Sequence, residues 1–280
     1  MIDNGPGNAR IVQLKAGRPG PCLFLVPGTG GSIEGFATLA ADLRTPMSVF
    51  AIEARGIDES STPDTNVEEM ALHYLARIRT VQGAGPYFLA GHSFGGLVAL
   101  EMAQSLHEVG EDVGLLALID AYPDARYMLP AQRLRLRAQR VGSRVADLQQ
   151  RSVRAGITYV ARRLKHRLRV GDAYVEGNSP SGASRLSFEH TTLRVKQKAY
   201  VALERYSPQL YGGKIKFVKS ESDSYYPADP AAVWAKLAAG FESETVRGGH
   251  LDMLTGDIKS LAAVLTRYMN EALEIKTNPR

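Results

Sequence analysis

The sequence predicts an α/β protein in which a mostly parallel central sheet is flanked by helices. Short apolar runs alternate with amphipathic helical segments along the chain, a pattern typical of parallel strands joined by helical crossovers. One apolar run passes directly into a helix through a Gly-x-Ser-x-Gly turn. The chain of 280 residues is long enough for a sizeable core, so we expect one domain over residues 1–280.

The elements follow one another in a regular order. Apolar runs predict strands over 22–26, 47–52, 87–90, 113–119 and 215–218. Apolar residues at helical spacing predict helices over 33–43, 67–81, 95–110, 230–239 and 257–275. Between residues 120 and 214 the alternation stops and a helical pattern remains. We therefore predict a helical lid, residues 122–200, inserted within the domain, with one helix presenting a single apolar face: Val153, Ile157, Val160, Leu164 and Leu168.

The turn after the third predicted strand has the pattern of a nucleophile elbow, Gly91-His92-Ser93-Phe94-Gly95. A serine on so sharp a turn sits in strained backbone, and the flanking glycines let strand and helix pass closely. Ser93 then projects from the top of the sheet. The backbone N–H of Phe94, at the start of the next helix, points to where a carbonyl oxygen gains charge during acyl transfer. The alternative is a glycine-rich turn with a purely structural role.

A serine nucleophile needs a histidine base, and that histidine needs an acid to fix its tautomer. The nucleophile-elbow pattern is typical of α/β-hydrolases, in which the catalytic residues follow one another along the chain as serine, acid and histidine. Residues 247–254 (RGGHLDML) supply a histidine after two glycines, so His250 is the predicted base. The other five histidines are expected to be solvated, to pack against neighbours or to support the site: His73, His92, His107, His166 and His190.

Two strand ends offer an acid. Asp120 directly follows the strand predicted over 113–119, whereas Glu221 and Asp223 follow the one predicted over 215–218. Most α/β-hydrolases place the acid after the later strand. Here residues 220–224 form a polar stretch that also fits a solvated loop, while Asp120 follows its apolar run at once. We therefore favour Asp120.

The three motifs together resemble the type I thioesterase domains that end nonribosomal peptide and polyketide synthases, which have the α/β-hydrolase fold. The resemblance rests on residues 91–96 (GHSFGG), 118–123 (LIDAYP) and 249–254 (GHLDML), and residues 23–31 (LFLVPGTGG) add to it. It runs from about Arg10 to Ala272 and is weak between Asp124 and Lys196. In that family the acid follows the earlier strand, matching Asp120.

The resemblance implies a serine thioesterase that acts on an acyl or peptidyl chain carried by the phosphopantetheine arm of a carrier protein, without a metal or soluble cofactor. It assigns the second oxyanion donor to the backbone N–H of Thr29. Pro27-Gly28 stands where relatives often have His-Pro, so Gly28 and Gly30 remain alternatives for that donor. A stand-alone editing thioesterase, a small-molecule esterase, lipase or amidase, and a non-catalytic binding module are the competing interpretations. Relatives of the editing type commonly have Met where this chain has Phe94, and shorter lids.

Charge is distributed unevenly along the chain. The lid, residues 122–200, holds 17 Lys and Arg against 5 Asp and Glu, a net charge of +12, whereas the remainder holds 17 against 24, a net −7. Three interpretations stay open: a solvated basic face, docking of an acidic carrier protein or of its phosphopantetheine phosphate, and binding to a membrane surface or nucleic acid. Aromatic residues are sparse among the arginines and no nucleic-acid module accompanies them.

Further sequence features concern location, disulfides and nucleotide binding. No apolar run approaches the ~20 residues that span a bilayer, and residues 1–7 lack a signal-peptide pattern, so we expect a cytoplasmic protein. The single cysteine, Cys22, cannot form an internal disulfide and is expected to pack beside a strand. The glycine-rich loop 27–32 lacks the Gly-Lys-Ser/Thr ending of a P-loop, which argues against nucleotide binding.

Overall fold

A seven-stranded sheet forms the centre of the protein. The computed structural model describes residues 9–58, 61–127, 130–131, 134, 181–222, 229–250 and 252–277, with backbone alone at 125, 181–189 and 275–277. The strands are β1 Arg10–Lys15, β2 Cys22–Val26, β3 Ser48–Glu53, β4 Tyr87–His92, β5 Val113–Ile119, β6 Tyr211–Ser220 and β7 Ala238–Val246. Their order in the sheet is β1-β3-β2-β4-β5-β6-β7. β1 runs antiparallel to β3 and every other neighbouring pair is parallel, which confirms the predicted sheet.

Helices connect these strands. They are α1 Glu34–Asp42, α2 Val67–Arg79, α3 Phe94–Glu108, α4 Ser181–Arg205, α5 Ala231–Trp234 and α6 Ile258–Thr277, with short 3-10 turns at Ala125–Tyr127 and Asp252–Leu254. The helix predicted over 230–239 is wrong beyond its first turn, because the chain turns after Trp234 and continues as β7. The apolar residues in that stretch serve two elements, the buried Trp234 in α5 and Ala238 at the start of β7.

The core consists of two apolar layers, one on each face of the sheet. Successive residues of the inner strands alternate between them: Phe24 belongs to one layer and Leu25 to the other. Buried side chains of α2 and α3 cover the first face, and those of α1 and α6 cover the second. Strands covered on both faces are apolar at almost every position, which is why β2, β4 and β5 were readable from the sequence.

The carboxyl ends of β4, β5 and β6 lie side by side. His92 of β4 is in register with Ile119 of β5, and Ile119 with Val218 of β6. Backbone hydrogen bonds join the ends as well: the Ser93 N–H donates to the Ile119 carbonyl over 2.8 Å, and the Asp120 N–H to the Val218 carbonyl over 2.7 Å. The residues that follow these strands are therefore held within reach of one another.

Most of the described part of the predicted lid is helical, with residues 122–124 as the exception. α4 begins at Ser181 and continues past residue 200 to Arg205, where it packs Ala199 and Ala202 into the core. Most of the predicted lid, including the apolar face from Val153 to Leu168, lies outside the described residues. The lid as a separate unit stays a prediction.

Candidate active site

Ser93 occupies the strained turn that the elbow pattern predicts. It follows β4, precedes α3, and has φ 55° and ψ −123°, a conformation that side-chain-bearing residues rarely adopt. The neighbouring glycines are required by close packing. A Cβ on Gly91 would lie 2.2 Å from the Gly95 carbonyl oxygen, and one on Gly95 would lie 2.3 Å from the Pro27 carbonyl oxygen. These close contacts leave no room for a side chain at either glycine, so the packing around the turn fixes the conformation of Ser93.

His250 meets the Ser93 hydroxyl. It lies in a loop between β7 and the 3-10 turn Asp252–Leu254, and its Nε2 is 2.9 Å from Ser93 Oγ. Its other ring nitrogen, Nδ1, is 2.7 Å from Asp120 Oδ2. A proton on Nδ1 that is donated to the carboxylate leaves Nε2 free to accept the Ser93 proton.

Asp120 is buried beneath the histidine. It follows β5 with φ 46°, a left-handed conformation that aspartate tolerates better than most residues. Only 2% of Asp120 is exposed. Ser220, at the end of β6, donates to it twice: its backbone N–H contacts Oδ1 at 3.3 Å and its hydroxyl contacts Oδ2 at 2.9 Å. A buried carboxylate needs such donors, because an unpaired charge in the interior is costly.

Two residues that support Asp120 were not foreseen from the sequence. The Ser220 hydroxyl is one: alternation along β6 puts Ser220 on the same face as Lys214 and Lys216, so the strand pattern does not mark its side chain as buried. The other is Trp234, whose indole Nε1–H donates to the Ala121 carbonyl over 2.9 Å. This contact fixes Ala121, the residue directly after Asp120. No local sequence pattern predicts a hydrogen bond between residues so far apart in the chain.

His92 lies beside His250 rather than in solvent. Its Nε2–H donates to the backbone carbonyl of His250 over 3.1 Å, and the two rings stack with centroids 5.1 Å apart. Burial is the main cause that lowers the His92 pKa to about 4, and the neighbouring His250 lowers it further. His92 is therefore a neutral imidazole at neutral pH.

The loop after β2 packs against the elbow. A Cβ on Gly28 would lie 3.7 Å from Ser93 Cβ, so Gly28 borders Ser93. Among the loop residues that the structure describes, the backbone N–H groups of Gly28, Thr29 and Gly30 donate to no loop or turn carbonyl. Phe94 opens helix α3, where the first N–H groups have no intrahelical partner. Thr29 as the second donor stays a prediction, with Gly28 and Gly30 as its alternatives.

The remaining candidates that the structure describes have other surroundings. The Glu221 side chain is exposed, whereas Asp223 and His166 lie outside the described residues. His73 contacts Asp64 and Arg55, His107 packs against Tyr211, and His190 is exposed.

Neither a metal-binding cluster nor a membrane-spanning helix occurs within the described ranges. No group of three or more His, Cys, Asp or Glu side chains there could hold a metal ion. Within the same ranges, no helix combines the length and hydropathy needed to cross a membrane. A cytoplasmic location stays a prediction.

The three central side chains form a continuous hydrogen-bonded line from carboxylate to imidazole to hydroxyl. This line can carry the Ser93 proton to His250 Nε2 while Asp120 balances the charge that develops on the imidazole. Ser93 is partly exposed and Asp120 is buried, so the end that would meet a substrate is open and the supporting end is shielded from water. Such an arrangement suits nucleophilic acyl transfer.

Comparisons with known proteins show the family of this chain. A family model described as Thioesterase domain matches residues 21–269. Similar curated proteins include malpibaldin synthetase of Mortierella alpina, 28% identical over 94% of this chain. The dimodular nonribosomal peptide synthase of Bacillus subtilis (strain 168) is 38% identical over 41% of it. The chain spans only 4% and 5% of the lengths of these two relatives.

Solved structures show the same fold. The NocB thioesterase domain from the nocardicin cluster superposes with a TM-score of 0.63 at 22% identity, covering 94% of this chain and 99% of that one. The type II thioesterase BorB from the borrelidin biosynthetic cluster also gives a TM-score of 0.63, at 19% identity, covering 92% and 97%. At these identities the likeness establishes the α/β-hydrolase architecture and leaves the choice between the two thioesterase types open.

Proposed function

Because the chain belongs to the thioesterase domain family, we propose that it is a serine thioesterase that releases an acyl or peptidyl chain from a carrier protein. The observation that carries the proposal is the line Asp120–His250–Ser93, with contacts of 2.7 and 2.9 Å. The similarity to nonribosomal peptide synthetases supports a substrate held as a thioester on a phosphopantetheine arm. An acyl or peptidyl carrier protein is then the partner.

The first half of the reaction forms an acyl-enzyme. His250 Nε2 takes the proton from Ser93 Oγ as this oxygen attacks the thioester carbonyl carbon. The carbonyl oxygen gains negative charge and is stabilised by the backbone N–H groups of Phe94 and Thr29. The carbon–sulfur bond then breaks, and the pantetheine sulfur leaves with the proton from His250. Asp120 holds the imidazole in the required tautomer throughout.

The second half releases the chain. Water, or a nucleophile within the acyl chain, loses its proton to His250 Nε2 and attacks the acyl-Ser93 ester. Collapse of the second tetrahedral intermediate returns the proton to Ser93 Oγ. Water yields a free acid and an internal nucleophile yields a macrocycle. Neither half requires a metal ion or a soluble cofactor.

The experiment compares three substrates that carry the same acyl chain: a carrier-bound thioester, a free acyl-pantetheine thioester and the matched oxygen ester. We expect turnover of both thioesters, with the carrier-bound one preferred, and a lower kcat/KM for the oxygen ester. Ser93→Ala should lower the rate by about 10⁴ to 10⁶ and abolish labelling by a fluorophosphonate, with an unchanged circular dichroism spectrum. Ser105→Ala, in the adjoining helix α3, is the matched control and should retain wild-type activity.

Each result separates one competing function. Preference for the oxygen ester would assign the chain to the esterases. Faster clearance of short, unprocessed acyl groups than of full-length chains from the carrier would assign it to the editing thioesterases. Wild-type protein that fails to react with the fluorophosphonate would indicate a binding module that keeps the fold without its chemistry.

A further inference from the structure

His92 makes two contacts with His250, and the chemistry proposed above uses neither. Its Nε2 lies 3.1 Å from the His250 carbonyl oxygen, and its ring stacks on the His250 ring at an interplanar angle of 26°. His92 is buried, with 8% of its surface exposed. A buried polar side chain with a defined partner fixes the position of that partner, because leaving either group unpaired is costly.

His250 needs such support because of where it lies. Ser93 and Asp120 directly follow strands β4 and β5, whereas His250 sits in a loop after Gly248 and Gly249. Gly248 has φ 96°, a conformation open chiefly to glycine. The loop is held at one side by the Ser222 N–H, which donates to the Gly248 carbonyl over 3.1 Å. His92 holds the other side at the carbonyl of His250 itself.

We propose that His92 is a positioning residue, which fixes the main chain and ring of His250 so that Nε2 stays in contact with Ser93 Oγ. The inference rests on the proposed function, since it assumes that His250 is the base. His92 follows Gly91 on β4 and directly precedes Ser93, so one strand end presents the nucleophile and also anchors the base. A change in the position of this strand end then moves both groups together.

The charge state of His92 fits this role. The titratable groups that face it are His250 and Asp120. Burial lowers the pKa of His92 most and the neighbouring His250 lowers it further, whereas the hydrogen bond to the His250 carbonyl and the Asp120 carboxylate raise it. The balance leaves His92 neutral across the pH range in which a histidine base works. A neutral ring donates one N–H to the carbonyl and does not repel the imidazolium that forms on His250 when Ser93 gives up its proton.

Three substitutions separate the contribution of the His92 N–H donor from that of ring stacking. His92→Phe keeps a ring for stacking but has no donor. His92→Gln places an amide N–H near the position of Nε2. His92→Asn carries the same amide on a side chain one methylene shorter, so its N–H does not reach the His250 carbonyl. The Gln and Asn variants form a matched pair, which decides the question even if the Phe variant does not fold.

The measurements are kcat and KM for an acyl-pantetheine thioester and the rate at which a fluorophosphonate labels Ser93. Misplacement of a catalytic group by about 1 Å costs up to ~100-fold. We expect kcat and the labelling rate to fall on the order of tenfold to a hundredfold in Phe and Asn, with KM within about twofold. Gln should recover most of the loss.

Other results would overturn the inference. Equal losses in Gln and Asn would show that the donor is not what matters, and wild-type kcat in Phe and Asn would show that the contact only stabilises the fold. A raised KM at unchanged kcat would assign His92 to substrate binding. Failure of the proposed function is distinguishable, because it shows in the wild-type protein itself, either as no reaction with the fluorophosphonate or as preference for the oxygen ester.

Discussion

The carboxyl ends of β5 and β6 are neighbours in the sheet, and each is followed by an acidic residue. The side chain after β5 is buried in the site, whereas the side chain after β6 is exposed. β5 ends at Ile119, and Asp120 turns into the left-handed region with its carboxylate buried against His250. β6 continues beside β7 as far as Ser220, whose buried hydroxyl donates to Asp120. Glu221, the next residue, has an exposed side chain.

The difference lies in what each strand does after the last shared register. β6 remains paired: Ser220 is in register with Val246 of β7, and the Glu221 N–H donates to the Val246 carbonyl over 2.8 Å. Continued pairing keeps the alternation of a strand, so Ser220 and Glu221 point to opposite faces, and the Ser220 side chain is buried whereas that of Glu221 is exposed. β5 leaves the sheet directly after its bond to Val218. The turn of the backbone therefore places the carboxylate of Asp120, the predicted acid, against His250.

The largest expected effect comes from neutralising the acid at the end of β5. Asp120→Asn should lower kcat by about 10⁴, the loss seen when the equivalent change in a serine protease leaves the histidine in the wrong tautomer. The amide is nearly isosteric with the carboxylate, so the fold should persist. Steady-state hydrolysis of an acyl-pantetheine thioester, together with a thermal unfolding curve, measures both expectations.

Glu221→Gln is the matched control at the end of β6 and should change kcat by less than about twofold, because an exposed side chain makes no contact that the reaction needs. Asp223→Asn is expected to behave in the same way. The reverse pattern, with a small effect at Asp120 and a large one at Glu221 or Asp223, would move the acid to the later strand.

The same comparison shows what the sequence could and could not predict. Strands buried on both faces were found because they are almost wholly apolar, and the elbow because its glycines are required by contacts of the turn itself. The edge strands β1 and β7 were missed, since their half-exposed alternation gives a weaker signal and β7 begins within an apolar stretch that also fits a helix. Asp120 was predicted as the acid because it follows an apolar strand without any intervening residue, and the structure places its carboxylate against His250.

The hydrogen bonds that support Asp120 and His250 could not be predicted from the sequence, for a different reason. Ser220, Trp234 and the carbonyl bonded by His92 each pair with a group about 100 residues away or more. Such pairs depend on which strands become neighbours. That order is a property of the assembled sheet, and no short segment carries it.

An intermediate effect is expected from moving the carboxylate from one strand end to the other. Ser220 Oγ and His250 Nδ1 contact the same Asp120 oxygen, so a carboxylate at position 220 lies close to the imidazole. In the Asp120→Asn background, Ser220→Asp should raise kcat at least about tenfold over the single variant, since a correctly placed carboxylate restores the tautomer. The exchange keeps one negative charge in the buried cluster and adds none.

The matched control for this exchange is Asp120→Asn with Ser220→Asn, which has the same size and no charge. It should show no recovery. Recovery in both double variants would point to altered packing instead of a restored carboxylate. No recovery in either would mean that the regular strand at the end of β6 cannot direct a side chain to His250, so that the turn at Asp120 is indispensable.

The smallest expected effect belongs to the donor itself. Ser220→Ala removes one hydrogen bond to Asp120 Oδ2, whereas the Ser220 backbone N–H and the His250 ring still hold the carboxylate. A hydrogen bond to a charged group contributes about 1.5–3 kcal/mol, part of which the two remaining donors replace. We expect kcat to fall about threefold to tenfold with KM unchanged, because the acid is loosened without contact to substrate. Ser222→Ala, an exposed serine two residues later, should have no effect on kcat. A loss in Ser220→Ala as large as that in Asp120→Asn would show that Ser220 is as necessary as the acid, and the two strand ends would then act as one unit.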